Sequence, residues 1–135
     1  MKILNRKDFL ALPDGVLYSK YEPCIFGPLE IKGESWENDF LTQQIADAVD
    51  CNDSGEFFNI LLDAKETGNS FALDFYSEGR DGLFDEDQLF AVWEHADISA
   101  LISRLNLLLP SKTDSGTNPD EGPATGGDVS GKPQV

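Results

Sequence analysis

The sequence has few basic residues in its middle. Residues 33–97 contain two basic and seventeen acidic side chains, whereas residues 1–32 contain five basic and four acidic ones. The formal net charge of the whole chain is −15, and the middle segment alone contributes two minus seventeen, or −15. Such a charge repels nucleic-acid phosphates and anionic membranes and attracts basic surfaces. We therefore predict no direct binding to nucleic acid or membrane, and a basic partner.

Residue types that carry out chemistry are also scarce. The chain has one histidine, His95, and two distant cysteines, Cys24 and Cys51. A zinc site requires more closely spaced ligands, and a hydroxyl or thiol nucleophile requires a neighbouring base. No glycine-rich phosphate loop or dinucleotide-binding pattern is present. We therefore predict no catalytic residue, no cofactor and no enzymatic activity.

Long apolar runs are absent as well. No run approaches the ~20 apolar residues of a membrane helix, and the segment MKILNRKDFLALPDGV lacks the continuous apolar region of a secretory signal. We expect a soluble intracellular protein, in which the two cysteines are reduced and buried.

The end of the chain lacks the residues that build a core. After Leu109, only Val129 and Val135 are aliphatic residues larger than alanine, so this segment cannot offset the entropy of ordering it. We predict one compact acidic domain over residues 1–109 and a disordered tail over residues 110–135. The tail is either an inert extension or a short recognition motif.

The first half of the remaining sequence predicts mainly strands. MKIL and GVLYSKY are typical of strands, and Asn5 is a candidate start for a helix over RKDFLAL. CIFGPLEIK predicts two short strands around its Gly-Pro pair, with Leu29 and Ile31 facing the core and Glu30 and Lys32 facing solvent.

The second half predicts mainly helices. Apolar spacing favours one helix from Asn38 to Val49 and a second that begins near Asp53 and ends at Gly68. SFALDFY predicts a buried strand. Asp85 is a candidate cap for a helix containing the apolar residues after Gln88, and further helical spacing predicts a closing helix. The resulting fold class is α+β, a small antiparallel sheet, meander or barrel-like, packed against three to four helices.

Two turns concentrate the acidic side chains. We predict that they form the partner-binding surface, if both turns lie at the same ends of their helices. Helix capping accounts for some of the same residues. The candidates are Asp81, Asp85, Glu86, Asp87, Asp50, Asp53 and Glu56.

The first of these turns partly matches a calcium-binding loop. DCNDSGEF fits five of the first eight positions of an EF-hand loop, but the twelfth position is Leu61 instead of a bidentate glutamate. Asp50, Asn52 and Ser54 are therefore only a weak candidate metal site, and we predict no bound metal.

Three stretches carry a resemblance to a known group of proteins. FLALPDG (residues 9–15), LEIKG (residues 29–33) and RDGLFDEDQLF (residues 80–90) resemble small proteins encoded by tailed phages and prophages, over about residues 1–108. The group has no assigned activity, so the resemblance transfers no residue role. It implies expression inside an infected bacterium, where small acidic proteins bind and inhibit host machinery.

Charge and resemblance together favour a non-enzymatic, phage-type accessory protein. It would present its acidic surface to a basic site of a host protein, such as a defence or nucleic-acid-handling enzyme, by mimicking nucleic acid. The alternatives are a small-ligand or divalent-cation-binding domain, an enzyme that uses carboxylates and a metal, a virion or assembly component, or a charge that serves only solubility. The sequence leaves the oligomeric state open.

Overall fold

A computed structural model describes residues 1–110, and the tail predicted for residues 110–135 lies almost entirely outside them. Residues Met1–Asp97 form one compact unit, and a second unit begins at Ile98. Within residues 1–110 no helix is both long and apolar enough to cross a membrane. The elements in chain order are β1 (Lys2–Leu4), α1 (Arg6–Leu10), β2 (Val16–Glu22), β3 (Ile25–Trp36), β4 (Asp39–Gln44), α2 (Ser54–Thr67), β5 (Glu78–Arg80), β6 (Leu89–Val92) and α3 (His95–Asn106).

The six strands form one antiparallel sheet in the order β1-β6-β2-β3-β4-β5. Strands β2 to β5 are consecutive neighbours, whereas β6 inserts between β1 and β2. The α+β class is confirmed, and four of the strands follow a meander. The barrel-like alternative is wrong, because β1 and β5 are edge strands and the sheet is not closed.

Four aromatic rings form the centre of the core. Helix α1 places Phe9 on the sheet, where its ring stacks on that of Phe90 at a centroid distance of 3.9 Å. The ring centroids of Tyr18 and Phe40 lie 4.8 and 5.2 Å from that of Phe9. Asn5 is the predicted N-cap of this helix, and its side chain accepts a hydrogen bond from the backbone of Asp8 at 2.8 Å.

Strand β3 is continuous, and its orientation reverses the prediction. Glu30 pairs with Tyr18 and Lys32 pairs with Val16 across the β2–β3 ladder, so both charged side chains share the face that α1 covers. They are buried, whereas Leu29 is only half-buried. The period-2 alternation was predicted correctly, but alternation alone does not say which face the core occupies. The Gly-Pro pair lies where the β2–β3 register shifts, in keeping with a bulge instead of a chain break.

The helix predicted from Asn38 to Val49 is wrong. Residues Asp39–Gln44 form β4, which pairs with β3, and a turn joins the two strands. Glu37 in this turn has φ = 50°, a left-handed conformation that ends one strand and begins the next. Cross-strand pairing has overridden an apolar spacing that also suited a helix.

Two further predictions in the second half are wrong. SFALDFY contributes only an isolated bridge between Leu73 and Val49, and Phe71 and Phe75 are exposed. The helix predicted after Asp85 is instead β6. A short apolar run does not distinguish a buried strand from a helix, and β6 lies between two other strands.

An extended excursion joins β4 to β5, and we call residues 45–77 the arm. Its base is held by backbone hydrogen bonds from Asp50 to Ala72 at 3.0 Å and from Asp74 to Ala48 at 2.8 Å. The arm contains α2, which has its predicted start and end. Not one residue of α2 is buried.

Candidate protein-binding surface

Two basic side chains of the sheet region point inward. Lys32 is 1% exposed, and its Nζ donates to the carbonyl oxygens of Leu12 and Gly33 at 2.9 and 3.1 Å. Burial lowers the pKa of Lys32, and the nearby carboxylate of Asp14 opposes that shift. The Arg6 guanidinium is also buried and donates to the carbonyl of Asn38. These cations therefore do little to offset the anionic exterior.

The side chain of Asp81 is buried, while the residue as a whole is half-buried. Its side chain is 2% exposed and accepts from Lys20 Nζ at 2.6 Å, with Arg6 Nη1 at 3.7 Å. This ion cluster ties the segment after β5 to β2, because Lys20 belongs to β2. The backbone N–H of Asp81 also donates to the carbonyl oxygen of Phe40 at 2.9 Å. Asp81 is therefore unavailable to a partner, and we remove it from the predicted surface.

A second ion pair joins the buried Asp39 to the exposed Arg80. Asp39 Oδ2 lies 2.6 Å from Arg80 Nε, and Asp39 Oδ1 accepts from the backbone N–H of Gly82 at 2.9 Å. Burial alone would raise the pKa of Asp39. The hydrogen bonds from Gly82 and Phe40, together with the Arg80 charge, outweigh it and hold the pKa below its ordinary value.

The three other acids of the second turn are exposed. Asp85, Glu86 and Asp87 lie in a turn, which we call the acidic turn, and Asp85 Oδ1 accepts from the backbone of Asp87 at 3.0 Å. Gln88 fixes the end of this turn, because its side-chain amide donates to Tyr21 O at 3.2 Å and to Leu89 O at 2.8 Å. Asp85, which is predicted to cap a helix, thus lies in the turn that precedes β6.

The acids of the first turn lie at the start of α2. Asp53 is the N-cap and accepts from the backbone of Glu56 at 2.8 Å, while Glu56 Oε1 accepts from the backbone of Asn52 at 2.6 Å. Asp50 and Asp53 are exposed and Glu56 is half-buried. Within residues 1–110 no group of three His, Cys, Asp or Glu side chains is arranged to hold a metal ion. The weak candidate site at Asp50, Asn52 and Ser54 stays a prediction, because two of its three side chains are of other types.

The segments that carry the two acidic turns join the sheet at strand ends that point the same way. Strand β6 begins opposite Tyr21, near the β2–β3 turn. Strand β4 is antiparallel to β3 and therefore runs toward that turn, and its last residue, Gln44, pairs with Glu30. The acidic turn enters β6 there, and the arm leaves β4 there. Three strand spacings separate β6 from β4 in the sheet, roughly 14 Å at ~4.8 Å each. The condition that both turns lie at the same ends of their helices is not met, because the acidic turn precedes the strand β6 and not a helix.

Most acids of the middle segment have no cationic partner. Four of the seventeen acids between Gly33 and Asp97 take part in ion pairs within residues 1–110, namely Asp39, Asp81, Glu94 and Asp97. The remaining thirteen make no such pair within the same residues. One of the two cations of this segment, Arg80, is committed to Asp39. The negative charge is therefore an exterior property of this segment.

Sequence reasoning missed the apolar part of this surface. The arm exposes seven large apolar side chains among its acids, and Phe58 and Tyr76 are 65% and 76% exposed. Phe58 and Leu62 belong to the apolar spacing that predicts α2, and the structure shows that both side chains are exposed. The remaining exposed members are Phe57, Phe71, Leu73 and Phe75.

Two shallow depressions on the protein have volumes of about 240 Å³ each. One is lined by residues of β4 and β5, including Thr42 and Arg80, and the other includes Lys20 and Gln88. Both are smaller than the ~300–1,000 Å³ of typical small-ligand pockets. Neither favours the small-ligand alternative.

The cysteines also differ from the prediction. Neither thiol is in a disulfide, but Cys24 is exposed and Cys51 is half-buried. Cys24 has φ = 70° in the β2–β3 turn, so its position follows from the turn and not from packing of a small side chain in the core.

Comparisons with protein-family models, with curated proteins and with solved structures find no match to this chain.

Proposed function

We propose that this protein acts without catalysis, by binding the basic surface of another protein through the arm and the acidic turn. The observation that supports the proposal is a difference in burial between basic and acidic side chains. Lys32 and Arg6 are buried, whereas Asp85, Glu86 and Asp87 are exposed and unpaired within residues 1–110. Such an arrangement speeds encounter with a cationic surface and favours that surface over an anionic one.

The partner we propose is a host protein whose basic site handles nucleic acid, as a defence or replication enzyme does. A row of exposed carboxylates supports this choice, because it offers the same charge sign as a phosphate backbone to a site built for phosphates. The protein would then act in the bacterial cytoplasm as a nucleic-acid mimic and inhibitor, in keeping with the phage-type resemblance. Its binding should weaken steeply as salt is raised.

The test compares two pairs of neutralised acids. Asp85→Asn with Asp87→Asn changes the acidic turn, while Asp8→Asn with Asp14→Asn changes the net charge equally on exposed positions outside the middle segment. Asparagine retains a side-chain carbonyl that accepts hydrogen bonds. Proteins captured from a bacterial extract by the immobilised wild type are identified and purified, and their affinities for all three chains are measured at several salt concentrations.

We expect the change in the acidic turn to weaken binding by about tenfold and the control change to weaken it by less than about threefold. We also expect the chain to displace nucleic acid from the purified partner. Equal losses for both pairs would show that only net charge matters. Simultaneous binding of the chain and nucleic acid would contradict mimicry.

A further inference from the structure

Helix α2 carries an apolar stripe that the fold leaves open. Phe58 and Leu62 are one turn apart on the helix, and they are 65% and 52% exposed. The helical spacing continues the apolar arc through Leu61 and Phe57, which are more covered. An exposed apolar patch of this kind in a small protein marks an interaction surface.

The sequence of α2 supplies a cap at each end of the helix. Asp53 caps its first turn, and Gly68 ends it with φ = 79° and a backbone hydrogen bond to Ala64 at 3.0 Å. Isolated helices of ~12–15 residues are marginal in water, and none of the residues of α2 is buried. The caps stabilise the helix before a partner binds. The partner therefore does not have to order the apolar stripe, which lowers the entropic cost of binding.

Acidic side chains border the stripe. Glu66 is one turn beyond Leu62, and Asp63 lies next to the same residue along the chain. The whole arm contains seven acidic side chains and one basic one, Lys65. Two such arms would repel each other, so the charge argues against a second copy of this chain as the occupant. A partner must instead combine cations with apolar side chains.

We propose that the arm is the main docking element, and that its occupant is a basic amphipathic helix whose apolar stripe packs on Phe58 and Leu62 while its cations face the acids of the arm. This inference rests on the proposed function and adds the shape of the partner to it. Charge sets the encounter, and the apolar contact supplies affinity that salt does not screen.

The probes are two synthetic peptides of about twenty residues with identical composition of Lys, Arg, Leu, Phe and Ala. One peptide spaces its apolar residues at i, i+3, i+4 and i+7, and the other is scrambled so that no apolar face forms. The chains compared are the wild type, Phe58→Ala with Leu62→Ala, and a control with Ile25→Ala and Phe26→Ala. The control pair is similarly exposed, at 61% and 59%, but lies in β3. Alanine keeps α2 helical, which circular dichroism verifies.

We expect the wild type and the control to bind the amphipathic peptide about tenfold or more tightly than the scrambled one at 300 mM salt. Phe58→Ala with Leu62→Ala should remove this difference while leaving the salt dependence unchanged. Equal affinity of the wild type for both peptides would overturn the inference and leave the proposed function standing. No binding of either peptide at low salt would overturn both.

Sedimentation of the same chains tests the competing occupant. We expect the wild type to remain monomeric at micromolar concentration. A dimer that Phe58→Ala with Leu62→Ala dissolves would show that a second copy covers the stripe, and the inference would be wrong.

Discussion

The same residue types lie in opposite environments in two regions of the molecule. One region is the sheet together with α1, and the other is the arm. In the sheet region, aromatic rings are buried and stacked, as Phe9 is on Phe90, and the cations Lys32 and Arg6 are turned inward. In the arm no residue is buried, aromatic rings such as Phe58 face solvent, and acids outnumber bases by seven to one. The buried core thus lies in the sheet region, and the binding that we propose uses the arm, so each part is open to change separately.

The largest effect should come from removing an aromatic ring from the core. Phe9→Ala should lower the free energy of unfolding by about 3–5 kcal/mol, because it leaves a cavity among three other rings. Phe58→Ala, the same substitution in the arm, should change it by less than about 0.5 kcal/mol. Urea unfolding followed by circular dichroism measures both. Similar losses at the two positions would erase the distinction between the regions.

A smaller difference should separate two aspartates that are four residues apart. Asp81→Ala leaves Arg6 buried without its carboxylate partner and should cost roughly 3 kcal/mol, the lower end of the range for breaking a buried pair. Asp85→Ala removes an exposed charge and should cost less than about 1 kcal/mol. The same unfolding experiment applies. Asp81→Ala at wild-type stability would mean that the ion cluster does not fasten the segment after β5.

Local opening should differ between the regions in the unmodified protein. The amides of α2 should exchange with solvent about 30-fold faster or more than those of β2, a factor that corresponds to ~2 kcal/mol. The reason is that α2 has no buried residue, whereas β2 pairs on both sides with β3 and β6. Hydrogen exchange resolved by NMR measures this. Equal protection would place the arm in the same cooperative unit as the sheet.

The smallest effect should be the pH dependence of stability that Asp39 contributes. The folded-state pKa of Asp39 is below its ordinary value, so this group stabilises the protein above its unfolded pKa of ~3.9. That stabilisation is lost as pH falls through the lower, folded pKa. The stability difference between the wild type and Asp39→Asn should therefore shrink on acidification below pH ~4, and it should be smaller throughout than the loss from Asp81→Ala. A stability difference that stays constant down to pH ~2 would contradict the assignment.

The sequence predicted local features well and long-range pairing poorly. The cap at Asn5 and both ends of α2 were correct, because capping chemistry is decided by neighbouring residues. The strand β4 was mistaken for a helix, because its identity depends on pairing with β3.

The same limit applies to the candidate surface. The sequence placed Asp81 with Asp85, Glu86 and Asp87, since all four lie within one acidic stretch. Only the sheet topology brings Lys20 and Arg6 to Asp81 from 61 and 75 positions away in the chain. No local signal distinguishes a carboxylate that will be buried by distant cations from one that will remain exposed.

The most direct test of the division between sheet and arm is an NMR titration of the full chain with the basic amphipathic peptide. Backbone amide shifts should change over residues 45–77 and the acidic turn, and those of β2 and β3 should stay where they are. Shifts that concentrate on the strands of the sheet instead, or spread evenly over the whole protein, would contradict the account.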